Sequence, residues 1–367
     1  MNGRRVCLVC GDFFPSPIGG QGIYTYELAR NLTRLGYRVT VITTKRRGLE
    51  HTGFEVLPIH FDNLGLFAIE SWLRYRKILR NFDVVHGSDF YHLGLLFEKN
   101  RPVAFTTIHN THLQRYRASR YWLRFLFAIP IFLEKLACRC SDRIIAVSET
   151  TKGALLEYGL AAGDIQVIHN GIDTTRFNPA RRGEFRRTVG IDEDSEVVLF
   201  VGRLVQRKRP LEVLVAFHQL YADRPGLHLV MVGSGPLAAT LRQYVERHGL
   251  GHRVHLLGNL PNEALPEIYA DSNLFVLVSS GEGLPLSALE ALASGCKLLL
   301  TYDASGGARL LREAEQVVEY DANRDQLEDM ILRALDGKPG VVDPVVISIE
   351  TCARKVANLY KEVARAV

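Results

Sequence analysis

No run of apolar residues in this 367-residue chain is long enough to cross a bilayer. The longest, LFAIPIFL at Leu126–Leu133, falls far short of the ~20 residues that a spanning helix needs. Cysteine is sparse: Cys7, Cys10, Cys138, Cys140, Cys296 and Cys352 are all there are, which excludes a disulfide scaffold. Cys7 and Cys10 have C-x-x-C spacing, but they lie in RRVCLVCGDF, which reads as a buried strand. Alternation along a strand sends residues three apart to opposite faces, and no second Cys/His cluster completes a zinc site. Buried, reduced thiols are expected. No apolar leader precedes that strand, so a cytoplasmic location is expected. The sequence also lacks groove-reading or base-stacking modules, which excludes nucleic acid as a partner.

What is present is ordinary globular composition: 47% hydrophobic, 23% charged, 31 Gly and 14 Pro. At roughly 100 to 200 residues per domain, the length implies two domains. Charge divides unevenly between them. Residues 1–180 carry 23 Lys+Arg against 15 Asp+Glu, whereas residues 181–367 carry 22 against 25. A net of +8 beside a net of −3 predicts two bodies with different partners. Short β-branched runs at Val6–Val9, Val39–Thr43, Val84–His86, Val103–Ile108 and Ile144–Val147 alternate with helical stretches such as Ile23–Leu35. That rhythm implies a parallel, doubly wound sheet. It stops in the Gly/Asp/Pro-rich segment 169–196, read as an interdomain linker. It then restarts at Val197–Leu204, His228–Pro236, Val254–Leu260, Leu274–Ser280 and Cys296–Thr301. Ligands of such sheets bind beyond the carboxyl ends of strands, so the loops there hold the candidate chemistry.

Gly19, Gly20 and Gly22 stand between the first strand and a helix. They serve either a ligand, since helix N-termini bind phosphate, or a plain structural turn. Their G-G-x-G spacing is not the dinucleotide fingerprint, and no acidic residue closes a second strand about twenty residues later. His109 follows an apolar strand and is either a structural histidine or a hydrogen-bonding group for a sugar hydroxyl. Arg203 and Lys208, five apart across a strand-to-helix turn, can converge on a phosphate. The alternative there is a solvated basic loop, and Arg207 and Arg209 are expected to be exposed. Glu282 lies in a Gly-containing loop after a strand, and Glu290 lies eight residues on within the helical pattern Leu286–Ala293. Gly283, Leu284 and Leu286 can offer backbone N–H groups to an anion, and two carboxylates two turns apart can hold two sugars. The triplet Asp192–Asp194 imitates a metal site but falls in the linker. GSGP at Gly233–Pro236 reads as a turn, and Asp303–Gly307 as a Gly-rich loop beside the site.

In order and spacing these segments resemble glycosyltransferase family 4, the retaining, sugar-nucleotide-dependent enzymes of the GT-B fold. The resemblance spans nearly the whole chain, through TIHN, SDRIIAVSE, VIHNGIDTTRFNP, FVGRLVQRK, VMVGSGP and EGLPLSALEALASG. The family's E-x7-E element is met by Glu282 and Glu290, and its Arg/Lys pair by Arg203 and Lys208. EGLP replaces the commoner EGFG, and RKRP replaces the usual Lys-Gly. The resemblance implies an α/β, GT-B architecture of two Rossmann-like doubly wound domains facing each other across a cleft. Residues 1–172 would form an acceptor-side domain, 173–348 the donor domain, and helix 349–367 would cross back onto the first. It implies a nucleoside diphosphate-sugar donor, UDP-sugar favoured over GDP-sugar, and transfer of a hexose to a hydroxyl of a saccharide, lipid-linked or small-molecule acceptor. Arg203 and Lys208 would hold the diphosphate and Glu290 the ribose. Gly258 and Leu260 would lie near the base, and Glu282 with the N–H groups of residues 283–286 would meet the transferred sugar. His109 would reach that sugar, and Gly19, Gly20 and Gly22 would border the phosphates and the acceptor. No cofactor and no metal are expected.

The segment 115–140 interleaves arginines with Tyr116, Tyr121, Trp122, Phe125 and Phe127, and Ser71–Arg80 forms a second basic aromatic cluster. Such helices either lie on the anionic inner face of a membrane or pack inward with snorkelling arginines. Two other readings compete with a transferase. A GT-B sugar-nucleotide epimerase or phosphorylase would need further acid/base groups or a pyridoxal lysine, for which the sequence offers no residue. A non-catalytic sugar-nucleotide-binding protein would not need His109, Arg203, Lys208, Glu282 and Glu290 together.

Overall fold

A computed structural model describes residues 3–14, 19–45, 49, 52–61, 64–117, 127–302, 311, 317–337 and 342–366. The chain forms two compact units, residues 1–172 with 348–367, and residues 173–347.

The first unit holds β1 (Arg5–Val9), β2 (Arg38–Thr44), β3 (Glu55–Ile59), β4 (Val84–Ser88), β5 (Val103–Ile108), β6 (Arg143–Ala146) and β7 (Ile165–Val167). They pair in parallel in the order β3-β2-β1-β4-β5-β6-β7. Its helices are α1 (Gly20–Arg34), α2 (Leu64–Tyr75), α3 (His112–Arg117), α4 (Ala128–Cys140) and α5 (Glu149–Leu156). The central strands are apolar on both faces because helices cover both, and Cys7, Val9, Val85 and Ala104 lie in one core cluster with Phe67 and Phe90. Cys7 and Cys10 are buried free thiols, and burial pushes the Cys10 thiol up to about 12.

The second unit holds α6 (Phe185–Val189), β8 (Glu196–Val201), α7 (Pro210–Leu220), β9 (Leu227–Val232), α8 (Ala238–Arg247), β10 (Val254–Gly258), α9 (Leu265–Ala270), β11 (Leu274–Leu277), α10 (Leu286–Ala293), β12 (Lys297–Thr301), β13 (Val317–Tyr320) and α11 (Leu327–Asp336). Its parallel strand order is β10-β9-β8-β11-β12-β13. The last helix, α12 (Ile349–Ala366), belongs to the first unit and packs on α1. Its buried Tyr360 packs at a tilt against Phe105, with ring centroids 4.7 Å apart, and its hydroxyl lies 2.5 Å from His86 Nδ1.

The segment read as a linker is largely part of the second unit's fold. Arg186 on α6 is buried, and its guanidinium donates to the carbonyls of Asp271, Asp192, Glu193 and Ser195 and to Asn273 Oδ1, at 2.7–3.3 Å. A buried arginine so fully paired organises the segment around itself, which its polar composition concealed. Each sheet reverses its winding once, between β1 and β4 and between β8 and β11. These switch points are where open α/β sheets bind ligands.

Candidate active site

At the switch point of the second unit, β8 runs into Gly202 and Arg203, then into a 3₁₀ turn over Gln206–Lys208. Gly233 and Gly235, after β9, make that turn possible. A Cβ on Gly233 would stand 1.9 Å from the Gly202 carbonyl oxygen, and one on Gly235 2.5 Å from that of Leu204.

Glu282, in the loop after β11, sits between two cations. Its Oε1 accepts from Arg207 at 2.6 Å and lies 3.1 Å from Lys208 Nζ. Burial presses the Glu282 pKa upward, but the charges of Lys208 and Arg207 outweigh it and hold the carboxylate below the ordinary range. Arg207 was expected to be solvated. Instead its guanidinium also donates to the carbonyls of Ser280 and Gly281, and its own carbonyl accepts from the Ser280 N–H. Those partners lie more than seventy residues along the chain, so no local pattern marks this role. Lys208 is thus placed against Glu282. Arg203 is exposed and, among the described residues, makes no ion pair with this group.

Arg209, next in sequence, has φ +50° and ψ +42° and caps α7. This left-handed conformation suits glycine, which gives the physical reason why Lys-Gly is the usual pairing here and Lys-Arg the atypical one.

Glu290 lies on the buried face of α10 and accepts a 2.9 Å hydrogen bond from the Tyr269 hydroxyl. Burial raises its pKa to about 7, against the opposing influence of Tyr269 and of the Arg176 charge. Gly283, Leu284 and Leu286 are buried at the start of α10, where the Ala288 N–H turns back to the Pro285 carbonyl at 3.2 Å. Gly258 ends β10 at φ +69°, and Leu260 is half-buried two residues on.

In the first unit His109 follows β5 immediately, one strand beyond the β1/β4 switch point. Its ring packs edge-on against Tyr24 at 4.7 Å, and its buried Nε2 has no partner. Burial, aided by the Arg115 charge, pushes its pKa down to about 3. The imidazole is therefore neutral, able to meet a hydroxyl as donor or acceptor. Gly19 and Gly20 are exposed at the start of α1, whereas Gly22 is buried against the backbone of Asp12 and Phe13. The segment 303–307 and residues 118–126 of the basic aromatic region lie outside the described residues. Among the described residues no cluster of three or more His, Cys, Asp or Glu is arranged to hold a metal ion, and no helix is long and apolar enough to cross a membrane.

Comparison with known proteins agrees with this geometry. Residues 18–176 match the family model "Glycosyltransferase Family 4", and residues 181–344 match "Glycosyl transferases group 1". An uncharacterized glycosyltransferase of Methanocaldococcus jannaschii is 26% identical over 97% of this chain and 98% of its own. The UDP-Gal:alpha-D-GlcNAc-diphosphoundecaprenol alpha-1,3-galactosyltransferase of Escherichia coli is 30% identical over 84% of this chain and 80% of its own. In fold, the chain superposes on the sucrose-phosphate synthase of Thermosynechococcus elongatus with a TM-score of 0.79 at 22% identity, covering 99% of this chain and 100% of the other. Two parallel, doubly wound units give the chain the GT-B fold, and the family models make it a glycosyltransferase. More narrowly, the chain belongs to glycosyltransferase family 4.

Proposed function

We propose that this enzyme moves a hexose from a nucleoside diphosphate-sugar, a UDP-sugar in preference to a GDP-sugar, to a hydroxyl of a saccharide or lipid-linked acceptor. The observation that carries this reading is the Arg207–Glu282–Lys208 group at the β8/β11 switch point, beside the start of α10. Glu282 orients Lys208 while Arg207 shares its carboxylate, so the group keeps a net positive charge for an anion. Arg203, exposed and without an ion pair among the described residues, adds a second cation for the diphosphate. Glu290 receives the ribose hydroxyls, Gly258 and Leu260 border the base, and Glu282 with the α10 N–H groups meets the transferred sugar. Neutral His109 hydrogen-bonds a sugar hydroxyl, and Gly19 and Gly20 border the phosphates.

The chemistry follows from these charges without a metal. As the bond from the anomeric carbon to phosphate oxygen breaks, its electron pair goes to the diphosphate, and Arg203 and Lys208 stabilise that charge. The acceptor oxygen bonds to the same face of the carbon, and its proton passes to the departing phosphate, which gives retention. The E. coli relative's donor and lipid-linked acceptor support the choice of UDP and of a lipid-linked substrate. So does the surface of the first unit. Leu66, Ile69 and Leu73 are exposed on α2, and Ile129 and Phe132 on α4. Both helices pack against Leu93–Phe97, and basic residues Arg74, Arg76, Lys77 and Arg80 follow, as suits peripheral contact with an anionic membrane.

The test is a panel of radiolabelled UDP-, GDP- and ADP-hexoses offered with p-nitrophenyl glycosides and with undecaprenyl-diphosphate-linked N-acetylglucosamine. Transfer from a UDP-sugar with an α-linked product is expected. Failure to bind or turn over any donor would refute the reading, and a freely interconverted donor sugar would point to an epimerase.

A further inference from the structure

Asp89 combines three features that no role given above uses. It follows β4 directly, at the β1/β4 switch point of the first unit. Its φ is +52°, and only Arg209 shares a positive φ among the described residues other than glycine. Its side chain is buried at 4% exposure, yet both of its hydrogen bonds are long. Oδ2 accepts from Gln21 Nε2 and Oδ1 from the His109 N–H, each at 3.4 Å. Good bonds of this kind are ~2.9 Å, so a buried carboxylate is held in a strained backbone with poor compensation. Burial raises its pKa, opposed by Arg115 and His112 and reinforced by Glu134. The Tyr91 hydroxyl also feels its charge.

A structural carboxylate is expected to be better satisfied than this. Strain in the left-handed region persists only where the surrounding fold enforces it, and an observed outlier is a pointer to function. The His109 N–H that reaches Asp89 comes from the end of the neighbouring strand β5, and the buried Nε2 of the same histidine has no hydrogen-bond partner among the described residues. Gln21, half-buried in the first turn of α1, covers Oδ2 with a bond weak enough to exchange.

We propose that Asp89 is an acceptor-binding residue: its carboxylate takes the hydrogen bond of an acceptor sugar hydroxyl in place of the Gln21 amide and orients that hydroxyl for transfer. This rests on the transferase reading above. The backbone strain is then a cost carried for the site, so relieving it should separate stability from transfer. Asparagine tolerates the left-handed region as aspartate does, and glycine adopts it without strain.

The experiment uses the full chain with labelled UDP-galactose and p-nitrophenyl N-acetylglucosaminide, scoring both transfer to the sugar and hydrolysis to water. Water needs no orientation, so D89N and D89G are expected to lower the transfer-to-hydrolysis ratio at least about tenfold, with UDP affinity unchanged by calorimetry. Trp72 and Trp122 both lie in the first unit, so their fluorescence reads its thermal midpoint. D89G should raise that midpoint by roughly 2–4 °C, and D89N should not lower it. An unchanged ratio overturns the proposal. So does a lowered midpoint in both variants with transfer and hydrolysis falling together, including outright failure to fold. A wild type that neither transfers nor hydrolyses any donor of the panel refutes the transferase reading itself, before any variant is made.

Discussion

Replacing Glu290 by glutamine should stabilise the second unit at alkaline pH and leave it unchanged at acid pH. Glu290 is 5% exposed, and burial raises its pKa from 4.5 to about 7 in the folded chain. In the unfolded chain it ionises at its ordinary value. Between those limits the folded state holds a proton that the unfolded state has lost, so stability falls as pH rises. The loss is about 1.4 kcal/mol per pH unit across that window, about 3 kcal/mol in all, and it persists above it. Glutamine has the same shape, still accepts the Tyr269 hydrogen bond and never ionises, so it escapes the penalty.

Trp fluorescence cannot see this effect, because both tryptophans lie in the first unit. Hydrogen exchange of peptides spanning α10 can, with wild type and E290Q compared at equal pH so that intrinsic rates cancel. Where exchange tracks the opening equilibrium, α10 of the variant should be protected about 100-fold more at pH 8.5 and equally at pH 4.5. Equal protection at pH 8.5, or a difference confined to acid pH, would refute the assignment of a raised pKa. The same titration governs the proposed ribose contact. The carboxylate accepts from two hydroxyls more strongly than a neutral carboxyl or carboxamide, so wild-type UDP affinity should strengthen as pH rises through about 7 and that of E290Q should not.

Two further perturbations address the framework around the site. R209G removes a left-handed arginine whose partner, Glu212, is a half-exposed i,i+3 contact at 3.6 Å and so contributes little. Relief of the backbone strain should raise stability by about 0.5–1 kcal/mol, read as greater protection of α7, and a loss of stability would show that the Arg209 side chain has a structural role. R186K keeps the charge but cannot reach five acceptors with one ammonium. Orphaned buried carbonyls should cost the second unit about 3 kcal/mol or more, measured by urea denaturation followed by circular dichroism, whereas a cost below about 1 kcal/mol would mean that water replaces the guanidinium.

The central strands were legible because strands buried on both faces are written as continuous apolar runs. β3, β7 and β13 were not, and all three are edge strands. An edge strand is half-solvated, and β3 even contains Pro58, whose missing donor only an edge tolerates. Of the candidate site, Glu282 with Glu290 and Arg203 with Lys208 stood out in the sequence because each pair is a short local motif. Arg207 did not, since its role is defined by carbonyls far along the chain. Net charge misled in the same way: the second half is acidic overall, yet a cationic group is assembled at its switch point by folding.

Asp89 and Arg209 were invisible for a different reason, since nothing in a non-glycine residue's identity announces a positive φ. The two share a backbone conformation and a place just after a strand or turn at a switch point, and glycine at either should relieve strain, yet only at Asp89 should that relief cost transfer. Arg209 extends a half-exposed side chain to a rim partner, so its strain serves nothing that glycine would forfeit. Asp89 has a buried carboxylate with no good partner, and the left-handed turn is what aims it toward Gln21 and His109. Strain alone therefore does not mark a functional residue. Strain that holds a buried, poorly satisfied charge at a ligand-binding edge does, because both the backbone and the side chain would gain by relaxing and the fold permits neither.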